Sequence, residues 1–196
     1  MKRIFTAINI SEEARGEVFD YIEKLRGEYP NLRVGWERTE KLHLTLKFLG
    51  DLDEKQLQNL IEASEVAARQ ISDFKLQIHQ TGVFPARRNA RILWLGLKDE
   101  AESLQKLNTV LESECAARGV TKETRDFKAH LTIARLREPQ KSKELVERHL
   151  EKEFKSAEFA VSEIVIYESL LQPKGSVYSV VSKHRFKEKL TADERR

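Results

Sequence analysis

The chain has 196 residues, 40% of them hydrophobic and 34% charged with both signs interleaved, which is enough for one substantial core and excludes a disordered chain or a string of several domains. The formal net charge of +3 does not by itself mark a nucleic-acid binder, and no apolar run reaches the length of a bilayer span. The expectation is a soluble, cytoplasmic, monomeric protein of one domain, without membrane attachment.

In chain order, Arg3 to Ile10 alternates as a strand, and Ser11 followed by Glu12 and Glu13 starts a helix with Ala14, Val18, Ile22 and Leu25 on one face. Tyr29-Pro30-Asn31 ends it, and a short segment at Val34 to Trp36 leads into a strand over Leu42 to Leu49 that stops at Gly50-Asp51. Asp53 with Gln56 reads as a capping box for a second helix carrying Leu57, Leu60, Ile61, Ser64, Ala67 and Ile71. A strand from Phe74 to His79, a loop from Gly82 to Ala90 and a strand from Ile92 to Leu97 come next, then a third helix from Ala101 to Arg118. Cys115 falls in line with Leu104, Leu107 and Leu111 of that helix and reads as a buried structural thiol; being single, it excludes an internal disulfide and a cysteine-based structural zinc site. A strand over Ala129 to Ala134 and a fourth helix over Ser142 to Phe154 precede a hairpin of Phe159 to Leu170 and Val177 to Phe186 turning at Pro173-Lys174-Gly175, with a frayed charged tail from Lys187.

A weak internal repeat runs through this order. His43 and His130 lie 87 residues apart; Ile4 precedes the first by 39 and Ile92 the second by 38, while Phe74 follows the first by 31 and Phe159 the second by 29. Such offsets predict two pseudo-symmetric lobes in an α+β fold, each an antiparallel sheet with helices on its outer face, meeting at a central cleft.

The repeat carries one motif twice: His43-Leu44-Thr45-Leu46 and His130-Leu131-Thr132-Ile133. Two residues along a strand return to the same face, so each imidazole shares its face with a hydroxyl roughly 7 Å away. Histidine suits both halves of a proton-transfer reaction because its ordinary pKa of roughly 6.5 lets both forms coexist near neutrality. Two such imidazoles and the hydroxyls of Thr45 and Thr132 are therefore placed to converge on one ligand, the histidines as acid and base and the hydroxyls as donors to charge that grows on it. The residues alone do not say which histidine is the acid.

The strings His43-Leu44-Thr45-Leu46-Lys47-Phe48-Leu49-Gly50 and His130-Leu131-Thr132-Ile133-Ala134-Arg135, with the opening Arg3-Ile4-Phe5-Thr6-Ala7-Ile8, resemble the 2H phosphoesterase superfamily. Within it the chain is most similar to the bacterial and archaeal RNA 2′,3′-cyclic phosphodiesterases, also called 2′-5′ RNA ligases. The resemblance covers nearly the whole chain. It implies a cleft with both motifs at its floor and hydrolysis of a cyclic phosphodiester at an RNA end to a 2′-phosphomonoester, with no metal and no other cofactor. It also implies that His43 is the proton donor, His130 the proton acceptor and Arg135 a phosphate ligand.

Strand parity turns Arg135 away from the cleft unless the strand ends or bulges by Ala134. Parity puts Lys47 on the cleft side and Phe48 in the core. Arg87, Arg88, Arg91, Lys128, Arg135 and Arg137 are candidates for a basic rim, and Trp36, Phe84, Trp94, Tyr167 and Tyr178 for base stacking. His79 has cleft-side parity, whereas His149 and His184 are expected to be exposed. Three rivals stand beside the hydrolase: a metal hydrolase, which needs three or more clustered ligands; a module that binds RNA ends without turnover; and ligation of a cyclic end to a 5′-hydroxyl as the main role. No glycine-rich nucleotide loop of the Walker type is present.

Overall fold

The helix starts that the sequence announces are made as hydrogen bonds. Ser11 Oγ accepts the Ala14 N–H at 3.2 Å. Asp53 and Gln56 cap each other's backbone N–H at 2.8 and 3.0 Å. The computed structural model describes residues 1–173 and 175–188. In order they form β1 (Lys2–Asn9), α1 (Glu12–Glu28), β2 (Val34–Trp36), β3 (His43–Leu52), α2 (Glu54–Ala68), β4 (Phe74–Phe84), β5 (Ile92–Lys98), α3 (Ser103–Ala117), β6 (Leu131–Leu136), α4 (Lys143–Leu150), β7 (Lys155–Val161), β8 (Glu163–Gln172) and β9 (Gly175–Arg185).

The strands make two antiparallel sheets, ordered β3-β1-β8-β9 and β2-β6-β5-β4-β7. The lobes are therefore real but interleaved in sequence. Phe5 of β1 stands opposite Tyr167 of β8, and Ile92 of β5 stands opposite Phe84 of β4, so β8 is the structural counterpart of β4. The expected single strand from Phe159 to Leu170 breaks at Ser162, its first part joining β4 and its second joining β1. The Ser162 carbonyl takes the Phe186 N–H at 2.8 Å across that break.

Helices exchange in the same way. α1 follows β1 but packs on β7, where Glu17 accepts the Ala157 N–H at 2.9 Å. α3 follows β5 but lies under β3. Residues that alternate or recur at helical spacing supply the buried cluster, from Ile4, Ile8 and Leu44 to Leu93, Leu107, Leu111 and Ile133. Cys115 is buried as expected, and burial pushes its thiol up to about 11.

Several local expectations give way. Gly82 belongs to β4 and not to a loop, because the Trp94 ring lies across it; a Cβ there would meet a ring carbon at 2.1 Å. His149 is fully buried, not exposed: its Nε2 sits 3.0 Å from the Gly82 carbonyl and 3.2 Å from the Trp94 carbonyl, and its Nδ1 2.8 Å from Tyr21 Oη. The carbonyls can only accept, so Nε2 carries the proton and Nδ1 takes the tyrosine's. His184 is half-buried, 2.9 Å from Ser182 Oγ. Lys187 is held by its backbone between Ile71 and Asp73, at 2.9 and 3.1 Å. Lys174 of the expected turn and the tail beyond 188 lie outside the described residues. Among the described residues no helix is long and apolar enough to cross a membrane.

Candidate active site

Each motif begins with the same imidazole setting. His43 Nδ1 is 2.6 Å from the Lys41 carbonyl, and His130 Nδ1 is 2.7 Å from the Lys128 carbonyl, in both cases two residues upstream. A carbonyl can only accept, so each Nδ1 bears hydrogen and each Nε2 keeps its lone pair in the neutral ring. Thr45 Oγ1 stands 3.1 Å from His43 Nε2 and donates to it. The turn that presents the Lys41 carbonyl, Thr39–Lys41, is tied to α1 by Arg15, whose Nη1 donates to the carbonyls of Thr39 at 2.6 Å and Leu42 at 3.3 Å.

Three residues later both strands bulge. Ala7 faces Thr45 while Thr6 faces Lys47, leaving Leu46 extra; Trp94 faces Thr132 while Leu93 faces Ala134, leaving Ile133 extra. An extra residue reverses the alternation beyond it. At the extra residues, Leu46 O takes the Asn108 side-chain amide at 3.0 Å, and Ile133 O takes the Glu37 N–H at 2.8 Å, which continues the pairing of β2 with β6 past Trp36.

The reversal decides what faces the cleft. Arg135 is exposed between the buried Ala134 and Leu136, so it shares the face of Thr132 and the parity objection to it falls. Lys47 instead turns inward, only 5% exposed, with Nζ 2.8 Å from both carboxylate oxygens of Glu112 on α3. Phe48 turns outward at 49% exposure, with the Arg3 guanidinium 5.1 Å above its ring. The cleft-side place expected for Lys47 and the core place expected for Phe48 are thus interchanged.

Aromatic rings wall both histidines. Phe5 lies 4.9 Å from His43 and Tyr178 meets the same ring edge-on at 5.5 Å, with Lys41 Nζ 5.5 Å above the tyrosine. Phe84 meets His130 edge-on at 4.9 Å, and Trp94 lies 6.4 Å from it. This enclosure pushes the His43 pKa down to about 4, because burial penalises the imidazolium more than the Lys41 carbonyl favours it; the nearby Arg15 charge adds to the depression.

The two lobes meet along β3 and β6. Burial and the Glu37 carboxylate raise the Tyr178 pKa, opposed by the charges of Arg135 and Arg3, so residues of both sheets act on one hydroxyl beside His43. Burial also raises the Glu37 pKa, opposed by the Arg38 N–H and by Lys41 and Arg135.

Other expected residues fall elsewhere. Arg87 is engaged by Glu147 through both guanidinium and carboxylate, which removes it from a free basic rim. Trp36 packs against the core. His79 stands opposite Lys155 of β7, two strands away from β6. Arg15, Glu37 and Lys41 carry no sequence signal for the site: Arg15 sits among the polar residues of α1, and nothing in its spacing points at the turn it holds. Among the described residues no three histidine, cysteine, aspartate or glutamate side chains cluster closely enough to hold a metal ion.

Comparison with known proteins adds a family to this geometry. A curated RNA 2′,3′-cyclic phosphodiesterase of Thermotoga maritima is 32% identical over 185 residues, covering 94% of this chain and 95% of that protein. One of Archaeoglobus fulgidus is 32% identical over 178 residues, covering 90% and 96%. A crystal structure from Thermus thermophilus superposes with a TM-score of 0.78 at 25% identity over 96% of this chain and 100% of that one. Escherichia coli LigT in complex with 3′-AMP shares the fold at a TM-score of 0.74 and 23% identity, over 94% and 98%. The model of the 2′-5′ RNA ligase superfamily matches residues 13–172, and the chain belongs to that superfamily.

Proposed function

We propose that the chain hydrolyses the 2′,3′-cyclic phosphodiester at an RNA end to a 2′-phosphomonoester by acid–base catalysis between two histidines. The observation that carries this reading is the repeated imidazole setting: each Nδ1–H is engaged by a carbonyl two residues upstream, leaving each Nε2 for proton transfer. The curated relatives named RNA 2′,3′-cyclic phosphodiesterase support the substrate class.

In this reading His130 Nε2 takes a proton from the attacking water, and the water oxygen bonds to phosphorus. The bond from phosphorus to the ribose 3′ oxygen breaks, and His43 Nε2–H protonates that oxygen, which leaves the phosphate on the 2′ oxygen. Thr45, Thr132 and Arg135 hold the non-bridging oxygens as their charge grows. With its pKa pushed down to about 4 by burial, His43 is neutral at pH 7 before substrate binds. The anionic phosphate favours the imidazolium and draws the Thr45 hydroxyl to itself, so the acid is assembled together with the substrate. A 5′-hydroxyl in place of water would run the same steps toward a 2′-5′ linkage, and bulk water favours hydrolysis.

The test is incubation of a 2′,3′-cyclic-phosphate oligonucleotide with the protein in excess chelator, followed by identification of the product. A 2′-phosphate end is expected. A 3′-phosphate end contradicts the regiochemistry, activity restored only by zinc favours a metal hydrolase, and tight binding without turnover favours a binding module.

A further inference from the structure

The bulge that brings Arg135 to the cleft side of β6 brings a phenyl ring, Phe48, to the corresponding place on β3. The reaction described above has no use for it, and folding gains little from a ring left 49% exposed. Its surroundings are those of a stacking platform. The Arg3 guanidinium lies 5.1 Å over the ring. Phe48 also lines a cavity of about 290 Å³ at the edge of β3, shared with the inward-facing Lys47 and with Leu52, Gln56, Lys122 and Glu123.

This platform is continuous with the histidine side of the same sheet. Phe5 stands opposite Phe48 in register and contacts His43 at 4.9 Å, Tyr178 at 5.0 Å and Tyr167 at 5.3 Å. Lys41 covers Tyr178 as Arg3 covers Phe48. Of this row Phe48 is the exposed ring, Phe5 being buried and Tyr167 and Tyr178 half-buried. An exposed ring beside a cation is how single-stranded nucleic acid is held without reading its sequence, the ring taking a base face and the cation a phosphate. Five residues of β3, one of them absorbed by the bulge, place Phe48 about 13 Å along the strand from His43, a length that the terminal nucleoside and one further nucleotide span.

We propose that Phe48 and Arg3 form a second nucleotide subsite, in which the base preceding the cyclic terminus stacks on the exposed Phe48 ring and Arg3 pairs with the phosphodiester joining the two nucleotides. The ligand is single-stranded RNA of at least two nucleotides. The inference rests on the RNA-end reading above for the direction of the strand.

The test compares affinities of a 3′-phosphate-ended RNA tetranucleotide and the matching 3′-phosphate mononucleotide, by competition against a fluorescent oligonucleotide, for the wild type, Phe48→Ala, Phe48→Tyr and Arg3→Gln. The tetranucleotide-to-mononucleotide affinity ratio is expected to fall about tenfold in Phe48→Ala and to return in Phe48→Tyr, which keeps the ring. Arg3→Gln is expected to reduce the salt slope for the tetranucleotide by about 0.7, the signature of one phosphate contact on a single strand. An unchanged ratio in Phe48→Ala, or equal losses for both ligands, overturns the subsite. Hydrolysis of a 2′,3′-cyclic-phosphate tetranucleotide by the wild type is measured alongside: its absence sinks the catalytic reading, while the affinity ratio still decides the subsite.

Discussion

β3 and β6 share a backbone plan. Each places a histidine and a threonine on the cleft face and inserts one extra residue three positions after the histidine, β3 inserting another at Leu49. Their side chains then diverge. The bulge turns Lys47 inward on one strand and Ala134 on the other, and turns Phe48 outward where its counterpart is Arg135. Asn108 and Glu112 of α3 serve the first strand by binding the Leu46 carbonyl and the Lys47 ammonium. The lesson is that the conserved element within this molecule is a register, and that each lobe fills the register with its own chemistry.

The largest test of that contrast is Glu112→Ala, which strands the Lys47 charge beneath β3. A loss of about 3–5 kcal/mol in denaturant unfolding is expected, recovered in large part by pairing Lys47→Met with Glu112→Leu. A loss below about 1 kcal/mol means that the pair is not the buried support described.

The histidines come next, and here the two strands are expected to behave alike. Replacing either His43 or His130 with alanine should cut kcat by a factor on the order of 100 or more, with the far-ultraviolet spectrum unchanged. Near-normal turnover in one variant breaks the equivalence and removes that residue from the mechanism.

A smaller effect separates the walls of the two imidazoles. Gly82→Ala must displace Trp94, since the new Cβ would lie 2.1 Å from its ring, and Trp94 is a neighbour of His130 but not of His43. A loss of about 1–3 kcal/mol is expected with a shift in tryptophan emission. An unaltered spectrum argues against the packing described.

The pH dependence sharpens the contrast least in energy but most directly in chemistry. Burial lowers the folded-state pKa of His43 to about 4 and also lowers that of His149, so both contribute stability at neutral pH. That contribution begins to fall once pH drops below the ordinary value near 6.5, where the unfolded chain takes up protons first, and the His43 part is gone below about 4. His43→Asn should therefore lose less stability than the wild type between pH 7 and pH 4.5, by about 1–2 kcal/mol after allowance for partial exposure. Equal losses in the two proteins show that the imidazole is not desolvated.

Much of this was legible in the residues. Caps at Ser11 and Asp53, alternation in β3 and the apolar stripe of α3 reflect interactions within a few residues, which composition and spacing encode. The buried thiol of Cys115 followed from the same stripe. Asn108 and Glu112 interrupt that stripe, and their signal was available there as polar groups on a face bound for the interior. The burial of His149 was not legible, because its partners come from Gly82, Trp94 and Tyr21, far away in sequence.

By itself the sequence determined the elements and the doubled histidine–threonine faces, since both depend on local periodicity. Tertiary structure alone decided the interleaving of the lobes, because which strand joins which sheet is a matter of nonlocal pairing. It also decided the bulges at Leu46 and Ile133, whose side chains look like ordinary strand residues. Register against β1 and β5 creates those bulges, and through them it sets Arg135 and Phe48 facing out and Lys47 facing in.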